Sequence, residues 1–196
     1  MKIAKIVSSN SHIDYVARVI DSLDTDEPPK AADHCFGQFV RLEGDAEDVI
    51  AIIYDSRLVN PEYANFGPRL SPRPALGSFS PDYINEQGIL IGILLLGTVD
   101  RSGKANHGVP RQIVSAGQDV TKLEVEDVGR FHSDGEGKVH LHYYSQIVAN
   151  AGQFAIPLLE SIIAQLCVNC SDAEAQRLQV LKQSLNWQGT FGGMKL

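Results

Sequence analysis

Cysteine is scarce in this chain. Its 196 residues include three, Cys35, Cys167 and Cys170. An odd, sparse set of thiols excludes the disulfide framework of a small secreted domain and predicts a reducing, cytoplasmic setting. Cys167 and Cys170 form a lone C-x-x-C, but metal sites built on such pairs use a second pair, which Cys35 cannot supply. Small residues near a helix end are the favoured reading. Basic charge is also low: 17 Lys and Arg stand against 24 Asp and Glu, a net charge of −7. That balance disfavours generic nucleic-acid binding, which depends on cations neutralising phosphates. Acidic residues gather at 21–27, 43–48 and 124–128, which read as solvated loops. The first residues, Met1–Val7, alternate like a strand and lack the apolar core of a signal peptide.

Long apolar runs are missing as well. The longest, Gly88–Gly97, is broken only by Gly92 and falls well short of the roughly 20 residues that span a bilayer. Bounded by glycine and by a turn-like Asp100–Gly103, it reads as a strand buried on both faces, with a buried helix as the competing reading. Gly97, Gly103 and Lys104 superficially suggest a phosphate loop. Such a loop needs G-x-x-x-x-G-K-[ST], with backbone amides around the phosphates and a hydroxyl on the metal. Here one residue too many separates the glycines, and Ala105 follows the lysine. A hairpin turn at Arg101–Lys104 is expected instead, and no ATP binding.

What is present reads as β for two-thirds of the length. Ile3–Ser8, Tyr15–Ile20, Phe36–Leu42, Val49–Tyr54, the run at 89–97, Arg111–Ser115 and Lys122–Glu126 are short segments rich in β-branched residues, separated by turn formers. With no helical pattern between them, they predict a small closed barrel, because closure removes unpaired edges. Between Val59 and Gln87 lies a loop holding Pro61, Pro68, Pro72, Pro74 and Pro81. Loops of that length are usually functional or disordered. Its Arg69 and Arg73, near Tyr63 and Phe66, are the candidate partner-contact residues; a stiff cover over the barrel is the competing reading.

The final third changes period. Phe154, Leu158, Leu159, Ile162, Ile163 and Leu166 recur at helical spacing, as do Leu178, Leu181 and Leu185. Ser171 with Glu174 fits a capping box. The pattern predicts a helical hairpin from about Gln146 to Trp187, turning near Asn169, with 190–196 as a loose tail. The apolar surface of the first helix exceeds what the second covers, so docking on the barrel is expected, with self-association as a further use. The fold expected is therefore mainly β with a helical C-terminus: a barrel over 1–128, and a turn segment, hairpin and tail over 129–196.

The order and content of Lys5–Ser8, Gly37–Leu42, Ile50–Tyr54, Ile93–Val99 and Pro110–Val120 resemble the HAS-barrel family, the N-terminal β-barrel of HerA-type DNA translocases and of the ATP synthase α and β subunits. The resemblance covers roughly residues 1–128. In the translocases a motor domain with a phosphate loop follows, whereas here only a helical hairpin does, so ATP turnover does not carry over. What the resemblance implies is packing in a ring or docking of a partner.

For catalysis the sequence offers no G-x-S-x-G and no diagnostic histidine spacing. His132, His140 and His142 flank a turn at Ser133–Gly137, and His140 and His142 would share one strand face. The pattern reads as exposed strand histidines rather than as a metal site, so no catalytic, cofactor or metal residues are assigned. Two functions remain: a non-catalytic module for protein assembly or docking, with a HerA-type ATPase as one partner, and a nucleic-acid accessory using Arg57, Arg69, Arg73, Arg101, Lys104 and Arg111. No membrane contact is expected.

Overall fold

The computed structural model describes residues 1–59, 88–134, 137–168 and 170–192, with side chains described as far as 185. Its strands are β1 (Lys2–Ser9), β2 (Asp14–Val19), β3 (Phe39–Leu42), β4 (Glu47–Val59), β5 (Gly88–Asp100), β6 (Ala105–His107) and β7 (Asp119–Lys122). All pairings are antiparallel, in the order β2-β1-β7-β3-β4-β5-β6, and β2 pairs again with β5. Six strands thus close into a barrel, and β6 extends the sheet outside it. The expected barrel is present.

Alternation along each strand explains its composition. Ile91, Ile93 and Leu95 join Val49, Ala51, Ile53, Val40, Leu42 and Val120 in the barrel's interior cluster. The intervening Leu94 and Leu96 pack with Ile50, Ile52 and Phe39 in a second cluster, beneath the helices. β5 is aliphatic on consecutive positions because each of its faces meets apolar partners. Leu94 and Leu96 thus occupy the helix-covered face of the barrel.

Two expected strands are corrected. Residues 111–115 are loop, and the sixth strand is Ala105–His107. That loop contains Val114, whose side chain joins the interior cluster, so an apolar residue there serves as a plug rather than a strand position. Residues 123–126 leave the sheet and start α1 (Val125–His132), a helix the sequence reading did not contain. Its buried residues Val128, Phe131 and His132 lie at i, i+3 and i+4, a single helical face. The turn 101–104 joins β5 to β6 as expected. Asp100 Oδ1 accepts from the amides of Ser102 and Lys104 and from the Ser102 hydroxyl, and the Gly103 amide donates to Asp100 O at 2.9 Å.

Gly97 has a packing role. A Cβ there would lie 2.3 Å from Asn106 O, so only glycine lets β6 approach.

The helical part comprises α2 (Tyr144–Asn150), α3 (Ala155–Cys167) and α4 (Asp172–Gly192). Of the residues read as the apolar face of α3, Leu158, Leu159, Ile162, Ile163 and Leu166 are buried against the barrel's outer cluster, whereas Phe154 precedes the helix and is half-buried. The hairpin therefore docks on the barrel. Gly37, at φ +80°, sits beneath α3, where a Cβ would come 2.4 Å from Ser161 Oγ. Two further details differ from expectation. Residues 190–192, expected in the tail, continue α4. Only half of the expected capping box forms: the Glu174 amide donates to Ser171 Oγ at 3.4 Å, while the Glu174 carboxylate accepts from the Val139 amide at 3.1 Å. Among the described residues, no helix is long and apolar enough to cross a membrane.

Candidate functional site

The histidines flagged in the sequence come together only in part. His132 closes α1 and is 1% exposed. Its Nδ1 lies 2.6 Å from Val128 O, one turn back, and its Nε2 lies 2.5 Å from the Tyr143 hydroxyl. A carbonyl can only accept, so Nδ1 carries the proton and Nε2 accepts from Tyr143. Tyr143 is fully buried. Burial pushes the His132 pKa down to about 3 and raises that of Tyr143 well above its ordinary value. Both ring nitrogens of His132 are committed to the fold, and the imidazole stays neutral.

His140 and His142 lie apart from this pair, with their rings 4.9 Å from each other at the surface, and His140 Nε2 is 2.9 Å from Asp134 Oδ2. They are not strand residues. The segment following α1 is held by an isolated Ser133–Val139 bridge and by the His140 amide donating to His132 O. The link between the two groups is His107 on β6, which the sequence reading missed. Its ring is 5.6 Å from that of His132 and 5.7 Å from that of His142. His107 Nε2 donates to Phe131 O at 2.8 Å, and Nδ1 accepts from the His142 amide at 3.4 Å. Burial, ahead of its other influences, lowers its pKa. Nothing local in Asn106-His107-Gly108 marks this role, which depends on β6 adding to β5. Among the described residues, no group of three or more His, Cys, Asp or Glu is placed to hold a metal. The imidazoles here act as polar fasteners between α1, β6 and the segment 138–143.

The barrel's two ends differ. Because neighbouring strands are antiparallel, the connections 10–13, 43–46, 101–104 and 108–118 share one end. The last of these is pinned on both sides of residues 111–113. The His12 ring bonds Pro110 O at 2.7 Å, the Val114 amide donates to Tyr15 Oη at 3.3 Å, and the Gly117 amide donates to Ile6 O at 2.8 Å. The Gln118 side chain donates to Glu43 O at 2.8 Å. On this fixed loop Ile113 is 77% exposed and Val109 56% exposed, beside the exposed Arg111.

At the other end, a cavity of about 460 Å³ opens between the end of β7, α1 and the α3–α4 turn. Cys170 lines it, and the Cys170 thiol pKa is raised, by burial first and then by the adjacent Cys167. Both cysteines are free. The proposed contact residues Arg69, Arg73, Tyr63 and Phe66 lie outside the described residues.

A family model described as a domain of unknown function (DUF8166) matches residues 1–195. The chain belongs to this family. The match runs through barrel and helices alike, so the family's unit includes both parts. No curated protein matches the chain.

Proposed function

We propose that the protein is a non-catalytic β-barrel module that docks a partner protein through the end of the barrel carrying the 108–118 loop. The observation that carries this reading is the pinned loop itself. A chain that anchors Val114 inside the barrel and fixes both flanks, yet leaves Ile113 and Val109 in solvent, holds a rigid apolar contact surface ready-made. Preorganised surfaces of this kind lower the ordering cost of association. The interior is packed with side chains from every barrel strand, which makes the outer surface the working part. The HAS-barrel resemblance supports a HerA-type ATPase as the partner.

Ion pairing of Arg57 and Arg101, two of the cations that a nucleic-acid accessory would use, favours this reading over that one. Arg101 and Arg41 face Asp48, Arg57 faces Asp55, and Arg18 faces Asp21 and Asp24. Lys2 and Lys5 share Asp119, and Lys122 pairs with Asp33. Cations already matched to carboxylates contribute little to phosphate binding.

Ile113→Glu combined with Val109→Glu tests the proposal, because both residues are exposed and the fold has no need of them. Co-purification of the full chain with a HerA-type ATPase, followed by light scattering, is expected to show a complex that the double variant loses. A complex unaffected by the double variant would place the contact elsewhere. Duplex-DNA binding that weakens steeply between about 50 and about 200 mM salt would favour the nucleic-acid reading instead.

A further inference from the structure

We propose that the 460 Å³ cavity between α1 and the α3–α4 turn is a binding site for a small amphipathic amine: an apolar body carrying a primary ammonium group. A cavity of this volume falls within the range of small-molecule sites, roughly 300–1,000 Å³. Its walls are aliphatic, from Leu123, Val128, Val139 and Leu166, all buried. Its rim carries Val125 and Val168, which are 55% and 76% exposed. Apolar side chains left in solvent at the mouth of an apolar cavity extend the surface available to a ligand's body.

The polar groups select the head. Gln38 Nε2 donates to Phe39 O at 2.9 Å and Leu123 O at 3.3 Å, and Gln165 Nε2 donates to Gly37 O at 2.8 Å. These partners are carbonyls, so the opposite amide orientation would set oxygen against oxygen. Each of these lining glutamines is thereby fixed with its nitrogen bonded, and its Oε1 is the acceptor that the side chain still offers. His132, also in the lining, presents carbon, because both of its nitrogens are committed. Among the described residues of the lining the one cation, Lys122, is bonded to Asp33 at 2.9 Å and also feels the carboxylate of Glu124. The two helices that begin at the cavity carry acidic first turns, Glu126 and Asp127 on α1 and Asp172 and Glu174 on α4. Asp127 faces Arg130 at 3.0 Å and Glu174 faces Arg177 at 3.5 Å, so Glu126 and Asp172 are the two that offset the attraction of these helix N-termini for anions. Acceptors and a net negative surround favour a ligand that donates hydrogen bonds and bears positive charge.

The test uses the full chain and three probes sharing one body: 4-phenylbutylamine, 4-phenylbutyramide and 4-phenylbutyrate, titrated by calorimetry and ligand-observed NMR. The amine is expected to bind at least tenfold more tightly than the carboxylate, with the amide between them. Val168→Trp, at an exposed mouth position, should abolish binding while leaving the urea midpoint unchanged. Glu124→Gln, also exposed, should shrink the amine's advantage over the amide severalfold. Equal binding of amine and carboxylate would overturn the proposal, as would amine binding indifferent to both variants. So would the absence of amine binding at millimolar concentration.

Discussion

At the scale of single residues, the Tyr143–His132 bond is a fully buried polar contact in the helical layer. Both partners are buried, so removing the hydroxyl leaves an imidazole nitrogen without a donor. Tyr143→Phe should cost about 1–3 kcal/mol in urea denaturation. The same burial makes stability depend on pH. His132 titrates near 6.5 in the unfolded chain and at about 3 in the folded one. Between those values the unfolded state binds the extra proton, so stability is fully present above pH 6.5 and falls as pH drops toward 3. The slope approaches about 1.4 kcal/mol per pH unit, which amounts to roughly 2 kcal/mol between pH 7 and 5. His107, shifted the same way, adds to it. This window lies above the ordinary carboxylate range, so it is separable from the loss that Asp24, Asp33 and Asp119, held low by their partners, add at lower pH. Urea titrations at pH 7 and pH 5 should show the difference, and His132→Leu should diminish it.

At the scale of elements, β5 is the seam between the two cores. Leu94→Ala opens a cavity under the helices and Leu95→Ala opens one inside the barrel, each costing about 2–5 kcal/mol by chemical denaturation. A variant as stable as the parent would contradict the burial on that face. β5 was legible in advance because an unbroken aliphatic run admits few arrangements in water. The α3 face was legible for a similar reason, since its spacing has one solution. β6 and α1 were not. β6 has three residues, Ala105–His107, too few to show a period, and it exists because Gly97 lets it approach. α1 starts inside a segment, Lys122–Glu126, whose alternation suits a strand until the chain departs from the sheet. His107 was invisible for the same reason as β6: its neighbours are distant in sequence. The cavity is equally a product of packing, assembled from β7, α1 and the α3–α4 turn, and nothing local announces it.

At the scale of the whole molecule, barrel and helices are one cooperative body. Phe39, Ile50, Ile52, Leu94 and Leu96 on the barrel's outside share a cluster with Leu158, Ile162 and Leu178. Cutting the chain after Tyr144 should therefore yield an aggregating product by light scattering rather than a free-standing barrel. A soluble, monodisperse fragment of parental stability would refute that unity. The closure of the barrel has a temporal consequence. Lys2 pairs with Thr121, so the first strand waits for the last before its second edge is satisfied. During synthesis, β1 and β2 leave the ribosome with an open edge that stays open until residue 122 is free. Loop-closure entropy must be met before that pairing contributes, which places folding among the slower, millisecond-to-second topologies. The charged ends of this waiting edge, Lys2 and Lys5, suit that interval: they repel stray strands first and meet Asp119 later.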